Sequence, residues 1–545
     1  MATGTTPKIG PFDHASRTMD GLELRARVNE MLNRHPAVGL AVGIVRNGCL
    51  ESFYGHGLAD IASRTQIAED TVFRIGSVTK PFTAIAVMQL WEQGLVDLDA
   101  PANDYLRAYE LIPARAAFRP ATLRHLLTHS AGILDVHHVS DLRHGGLTPS
   151  DGRPPLLSVK VGEPLPPLAE YFRGGLRVVA EPGTTFAYSN HGYATLGQII
   201  EDVSGMALER YFRERIFEPL GMADTDLVRS ERLASRLATG YTLGRRGAQA
   251  VPDRDWIGAA GGGIYSTTRD IARFAAALMG GGANEHGSVL EPATLTTMFE
   301  SHYRPDPRLL GWGLGFARAE AGTHRVVGHD GILPGFNSEL LVAPEDGLGI
   351  VAFTNGSKGA FMWMETEFKA LLRHLLDAPD EVVRTDIPHH PEIWGELCGR
   401  YRLPPRTSDL RQRLLSAGGA EVFVRGGRPI IRWLAPVPAL YRGFPLHPDD
   451  ENDPYVFRLD LSRLRMGTVR VVFGRDLGSG APALHADLGG QPFSLVRRPA
   501  EGRVRAPLAA GLGALLVAAA ARSVRRCRRR SKEVKGHEPR EESAR

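Results

Sequence analysis

Phe73-Arg74-Ile75-Gly76-Ser77-Val78-Thr79-Lys80-Pro81-Phe82 reads as a turn running straight into a buried helix. Gly76 supplies the tight entry, and Pro81 falls in the first helical turn, where its missing N–H is tolerated. From Ala84 to Trp91 every residue but Gln89 is apolar, so the helix is expected to be buried on most sides. A serine and a lysine three apart on a helix share one face. A serine hydroxyl is a poor nucleophile at its free pKa, and a lysine desolvated by an apolar surround can take its proton. The stretch therefore holds the parts of a Ser–Lys nucleophile, with Ser77 to attack and Lys80 to activate. Taken alone, the pair is better read as an N-cap serine and a solvated lysine, because such spacing arises about once or twice by chance in a chain this long. Residues further along the chain decide between the two.

The 545 residues are too many for one core, and the composition, 43% hydrophobic and 23% charged, is that of a globular protein of two or three domains. Cys49, Cys398 and Cys527 are widely spaced and odd in number, which argues against a disulfide framework or a cysteine zinc site. Seven of the basic residues lie between Arg522 and Lys532 with no acidic residue among them. Setting those seven aside turns the net charge of +4 into −3 for the rest of the chain. A basic nucleic-acid-binding face has no compositional support in that body.

Residues 1–20 read as a loose arm without the apolar run of a signal peptide, which predicts a chain that starts in the cytoplasm. Leu22 to Asn33 has helical spacing. Val38–Val45 and Leu50–Tyr54, joined through Asn47-Gly48, read as a hairpin. A mostly helical middle comes next, with Leu123–Ile133 expected as a helix ending at Gly132. Residues 134–168 are expected as a long loop, and its His137, His138 and His144 lack ligand-spaced carboxylates or cysteines and read as surface residues. Glu181 to Asn190 is a turn-rich lead into an apolar helix, and Ser266-Thr267-Thr268 can cap a helix over Asp270–Met279. Strand patterns return at His324–Val327, Glu339–Val342 and Gly349–Phe353, before a closing helix at Phe361–Leu376. Strands early and late with helices between predict an α+β fold, with terminal strands joined in one antiparallel sheet and a helical subdomain beside it. The expected division is an arm (1–20), a main domain (21–376), a linker (377–391), an all-β domain (392–498) and an apolar, basic tail (499–545).

Three motifs change the reading of Ser77 and Lys80. Ser-x-x-Lys is Ser77 to Lys80, Tyr-x-Asn is Tyr188-Ser189-Asn190, and Lys/His-x-Gly is His329-Asp330-Gly331. With the flanking Leu126–Gly132, Glu181–Gly183 and Gly335-Phe336-Asn337, the chain from about Leu22 to Leu376 resembles the serine β-lactamase-related hydrolases. That family includes class C β-lactamases, D-Ala-D-Ala carboxypeptidases, D-aminopeptidases and esterases. The resemblance implies a metal- and cofactor-independent acyl-enzyme mechanism on a small-molecule or peptide substrate. It implies Ser77, Lys80 and Tyr188 as catalytic residues, the Tyr188 phenol shuttling protons if nearby cations partly ionise it. It implies Asn190, His329, Gly331 and Ile332 as substrate-binding positions, the Ser77 and Ile332 N–H groups forming the oxyanion hole. His329 replaces the lysine of the β-lactamases, and a neutral imidazole attracts a substrate carboxylate less than an ammonium does. Peptidase or esterase activity is therefore expected over β-lactam hydrolysis. A binding or sensing module for cell-wall-type peptides, its turnover lost, is the alternative on the same fold.

Ala506–Ala521 is sixteen apolar residues ahead of the basic run. As a helix it would reach about 24 Å, short of the roughly 30 Å hydrocarbon core. A short spanning anchor, an interfacial helix lying on a membrane through 506–532, and a soluble basic tail all stay open.

Overall fold

The computed structural model describes residues 21–135, 158–403, 408, 418–434, 438–464, 466–488 and 490–498. The expected arm at 1–20, the histidines 137, 138 and 144, and the tail with its apolar and basic runs lie outside them. Among the described residues, no helix is long and apolar enough to cross a membrane.

The first strands are β1 (Gly39–Arg46), β2 (Cys49–Asp60) and β3 (Thr65–Gln66); the late ones are β4 (Ala317–Ala321), β5 (His324–Leu333), β6 (Phe336–Ala343) and β7 (Leu348–Thr354). They form one antiparallel sheet in the order β4-β5-β6-β7-β1-β2-β3. The expected union of the main domain's early and late strands is the β1–β7 pairing, which runs from Leu40 opposite Thr354 to Arg46 opposite Leu348. Asn47 and Gly48 both take positive φ, 49° and 83°, which gives the turn the twist a tight hairpin needs. Helices α1 (Gly21–Arg34) and α6 (Ala360–Leu375) cover one face of this sheet, with Val28, Trp363 and Phe368 packed on Val42, Ile44 and Ile350.

The other face carries the helical part. Helix α2 (Thr79–Glu92) buries every residue from Thr79 to Leu90, as its apolar run requires. Phe82 stacks on Phe274 of helix α5 (Thr268–Met279), ring centroids 3.8 Å apart. Each fully buried Phe, Ile, Val or Met side chain contributes roughly 1.5–3 kcal/mol, so α2 is a rigid support. Thr267 caps α5 by accepting from the Asp270 N–H at 3.1 Å.

Two expectations need correction. The helix expected over Leu123–Ile133 is only α3 (Leu123–Leu127). His129 stands at φ 55° and breaks it, because its ring is drawn into the core among Tyr188, Tyr193, Trp312 and Phe186. Tertiary packing of that one ring outweighs the propensity of the residues after it. Of the loop expected over 134–168, Ser158–Lys160 is a short strand paired with Arg254–Trp256, and Leu168 opens a single helical turn.

A second, all-β body comes after the main domain. Among the described residues, nine antiparallel strands between Gly399 and Arg497 make one sheet whose two outermost strands, Phe444–Pro445 and His447–Pro448, are separated by Leu446 alone. The sheet thus curls back on itself into a near-barrel around Tyr401, Phe457, Phe473 and Leu484. It meets the first body through Arg308, which pairs with Asp453 at 2.9 Å and donates to the Phe473 carbonyl at 2.8 Å.

Candidate active site

Ser77 lies on a single 3-10 turn, Gly76–Val78, that runs directly into α2. Gly76 at φ 54° makes the entry, and a side chain there would press on the Ile332 amide nitrogen, 3.2 Å from the Cβ position. Ser77 is the one residue between Thr71 and Leu90 that is not buried. Lys80, one turn on, is wholly buried. Its Nζ donates to Ser77 Oγ at 3.1 Å, to Asn190 Oδ1 at 2.8 Å and to the Gly261 carbonyl at 2.6 Å. The amide oxygen and the backbone carbonyl can only accept from it, whereas the serine hydroxyl can accept or donate. The cation also lies over the Tyr188 and Tyr193 rings, 4.8 Å and 5.3 Å from their centroids. From sequence, Lys80 is expected as a proton acceptor. The arrangement brings its Nζ within hydrogen-bond distance of the serine oxygen, the contact such a role requires.

Glycine-rich 259–264 brings the Gly261 carbonyl to this point. It is fastened to α2 twice: Thr83 donates to the Ala260 carbonyl at 2.7 Å, and Thr79 Oγ accepts from the Ile264 N–H at 3.2 Å.

Asn190 opens helix α4 (Asn190–Ser204) behind its extended N-cap Ser189, and Tyr188 stands just before that cap. The Tyr188 phenol shares a hydrogen bond with Ser77, so the first two motifs meet at the serine. Burial, and secondarily the charge of Asp330, holds that phenol well above the ordinary tyrosine pKa. Burial thus opposes the ionisation by nearby cations on which the expected shuttle depends, and the resting phenol is neutral. His129 packs on the Tyr188 ring at 4.2 Å. Its Nδ1 accepts from the Ser189 N–H at 3.1 Å, and burial pushes it far below the ordinary histidine pKa.

The third motif lies inside β5. Strand β4 begins opposite Gly328 and runs back toward His324, so from His329 onward one side of β5 faces the Ser77 turn instead of a strand. Gly331 is sterically required: a Cβ there would overlap the Ile75 carbonyl oxygen and Ser338 Oγ. Ser338 in turn donates to the Ile75 carbonyl at 2.6 Å, tying β6 to the entry of the Ser77 turn. His329 points to the site side, 5.7 Å from Trp312 and 6.1 Å from Tyr188. Its Nδ1 donates to the Asp330 carbonyl at 2.6 Å, and burial, then Lys80, pushes its pKa down to about 3. It is a neutral imidazole at any ordinary pH. Asp330 alternates to the opposite face, among Glu339, Glu365 and Lys369.

All seven residues expected from sequence thus lie about one point. Sequence reasoning missed Asp135 and His129 as parts of it. Asp135 accepts from the Asn190 side chain at 3.0 Å across 55 residues of chain, and no local signal links the two. His129 stood within the flanking segment Leu126–Gly132, but its packing role required the fold.

A family model described as Beta-lactamase matches residues 24–373. Penicillin-binding protein 4 of Amycolatopsis lactamdurans is 28% identical over 404 residues, covering 72% of this chain and 98% of that protein. Esterase EstB of Burkholderia gladioli is 27% identical over 336 residues, covering 56% and 83%. Among solved structures, the octameric penicillin-binding protein homologue from Pyrococcus abyssi superposes with a TM-score of 0.55 at 24% identity, covering 88% of this chain and all of that one. A family model spanning well over half of the sequence, from α1 to α6 and through all three motifs, makes this chain a member of the β-lactamase family of hydrolases.

Proposed function

We propose that the protein hydrolyses an ester or amide through an acyl-enzyme on Ser77, and that its substrate lacks a carboxylate where His329 meets it. The observation that carries the reading is Lys80 Nζ, which joins Ser77, Asn190 and the Gly261 carbonyl at one point. Ser77 Oγ forms the new bond to the carbonyl carbon as its proton passes to the Tyr188 oxygen. The phenol's own proton passes to the departing oxygen or nitrogen. This concerted relay needs no ionised tyrosine at rest, in keeping with the buried phenol. Lys80 stabilises the charge that grows on Ser77 Oγ while the proton is in transit. Asn190 offers the substrate amide a polar partner, and the Ile332 N–H, close to the Ser77 turn, serves the oxyanion. Water then repeats the sequence in reverse to release the acid.

His329 sets the substrate preference. Being neutral and buried, it offers a carboxylate no charge, and its fixed Nδ1–H leaves only an acceptor on the other nitrogen. Similarity to a protein named as an esterase points the same way. The test is intact-mass analysis after exposure to a fluorophosphonate, a p-nitrophenyl ester and benzylpenicillin. One adduct on the wild-type protein, absent in Ser77→Ala, is expected, with turnover of the ester faster than of the penicillin. Labelling that survives Ser77→Ala overturns the assignment. An adduct that never turns over with any ester or amide makes the protein a binding module.

A further inference from the structure

The Asp135 carboxylate is almost fully enclosed, 5% exposed, beside the start of α4. Its Oδ1 accepts from the Ser189 hydroxyl at 2.8 Å and the His191 N–H at 3.1 Å. Its Oδ2 accepts from the Asn190 N–H at 3.0 Å and the Asn190 side-chain NH2 at 3.0 Å. The two backbone bonds satisfy amides that a helix start leaves without partners. The bond to the Asn190 side chain does nothing for the helix. It decides which way that amide faces. A carboxylate can only accept, so the NH2 group must turn to Asp135, and the carbonyl oxygen must then turn to Lys80, where it accepts at 2.8 Å. The flipped amide would set two donors against each other at the lysine.

We infer that Asp135 is a positioning residue for the acyl-transfer site: it fixes the orientation of the Asn190 amide, which in turn holds the Lys80 ammonium on Ser77. The inference rests on the acyl-enzyme reading above. Asp135 touches no substrate and acts through two other side chains. The consequence is specific. If the role is orientation, it vanishes once position 190 carries a group with an acceptor on both sides.

The experiment measures the second-order rate of Ser77 labelling by a fluorophosphonate, which has no amide to bind, in four variants with near-UV circular dichroism as a check on folding. Asp135→Asn lets the Asn190 amide flip and is expected to slow labelling by about 100-fold, the cost of displacing a catalytic group by about an ångström. In the Asn190→Asp background both oxygens accept from Lys80, and there Asp135→Asn is expected to speed labelling, since it also removes a carboxylate–carboxylate contact. Ser189→Ala takes a different bond from the same carboxylate, along with the cap that Ser189 Oγ gives the Gly192 N–H, and is expected to keep labelling within about threefold of wild type. An equal loss from Asp135→Asn in both backgrounds, or wild-type labelling in Asp135→Asn, overturns the inference. Should Asp135→Asn not fold alone, the double variant decides: labelling no faster than in Asn190→Asp refutes it. Failure of the underlying mechanism looks different, because a Ser77→Ala protein would then label as well as the wild type.

Discussion

Gly331→Ala tests the architecture of the site most sharply. The added methyl is directed into the Ile75 carbonyl oxygen and Ser338 Oγ, neither of which is the flexible end of a long side chain. Ile75 is wholly buried and precedes the Ser77 turn, while the Ser338 hydroxyl is already committed to the same carbonyl. Strand β5 must therefore retreat from the turn by on the order of 1 Å to restore ordinary contact. The Ile332 N–H moves with it, away from Ser77. A displacement of that size at a transition-state donor costs about 100-fold in rate, or about 2.7 kcal/mol. The loss of stability from overpacking is of similar size, about 1–3 kcal/mol. The assay is the fluorophosphonate labelling rate beside a denaturant melt. Ser338→Ala is the companion: it breaks the hydrogen bond to Ile75 but leaves the space, and is expected to cost only about 1 kcal/mol of stability with a small effect on rate. Labelling of Gly331→Ala within about threefold of wild type would refute the placing of Ile332 as an oxyanion donor.

Three further outcomes are expected. Lys80→Met and Tyr188→Phe should each remove nearly as much turnover as the two together, since groups that act as a unit give non-additive losses; multiplying losses in the double variant would make one of them structural. His329→Lys should raise acylation by benzylpenicillin modestly and leave neutral esters nearly unchanged. Two unit charges about 4 Å apart interact by about 4 kcal/mol at an effective dielectric of 20, but burial and the nearby Lys80 oppose the new charge. Efficient penicillin hydrolysis by the wild type, unaltered in the variant, would contradict the substrate reading. Glu339, 4% exposed, has its pKa raised well above the usual carboxyl value by burial, so the folded protein holds this proton more tightly than the unfolded chain. Its contribution is complete below the unfolded pKa of about 4.3 and is lost as pH rises through the folded value. Glu339→Gln should therefore gain stability over wild type from pH 5 to pH 9 in thermal melts, and a constant difference would refute the shift.

Much of this protein is fixed by local pattern. The Asn47-Gly48 turn flanked by valine-rich and aromatic runs reads as a hairpin, and it is one. The unbroken apolar run after Lys80 reads as a buried helix, and α2 is buried throughout. The spacing inside each motif also survives, because three residues on a helix or two on a strand fix relative direction without any help from the fold. Strand β4 was not legible: Ala317-Arg318-Ala319-Glu320-Ala321 has weak strand propensity and exists through its pairing with β5. Nor was the early end of α3, which depends on where the His129 ring is buried.

Protonation and orientation belong to the tertiary structure. That Tyr188 is a neutral phenol and His329 a neutral imidazole comes from desolvation, which no residue carries in its own sequence neighbourhood. That Asn190 turns its oxygen to Lys80 comes from a carboxylate 55 residues upstream. The sequence alone determined which chemical groups the site contains and the order in which the chain supplies them. Only the folded sheet and helices decided their charge states and facing, because both depend on distances of about 3 Å between residues some fifty to two hundred and fifty positions apart.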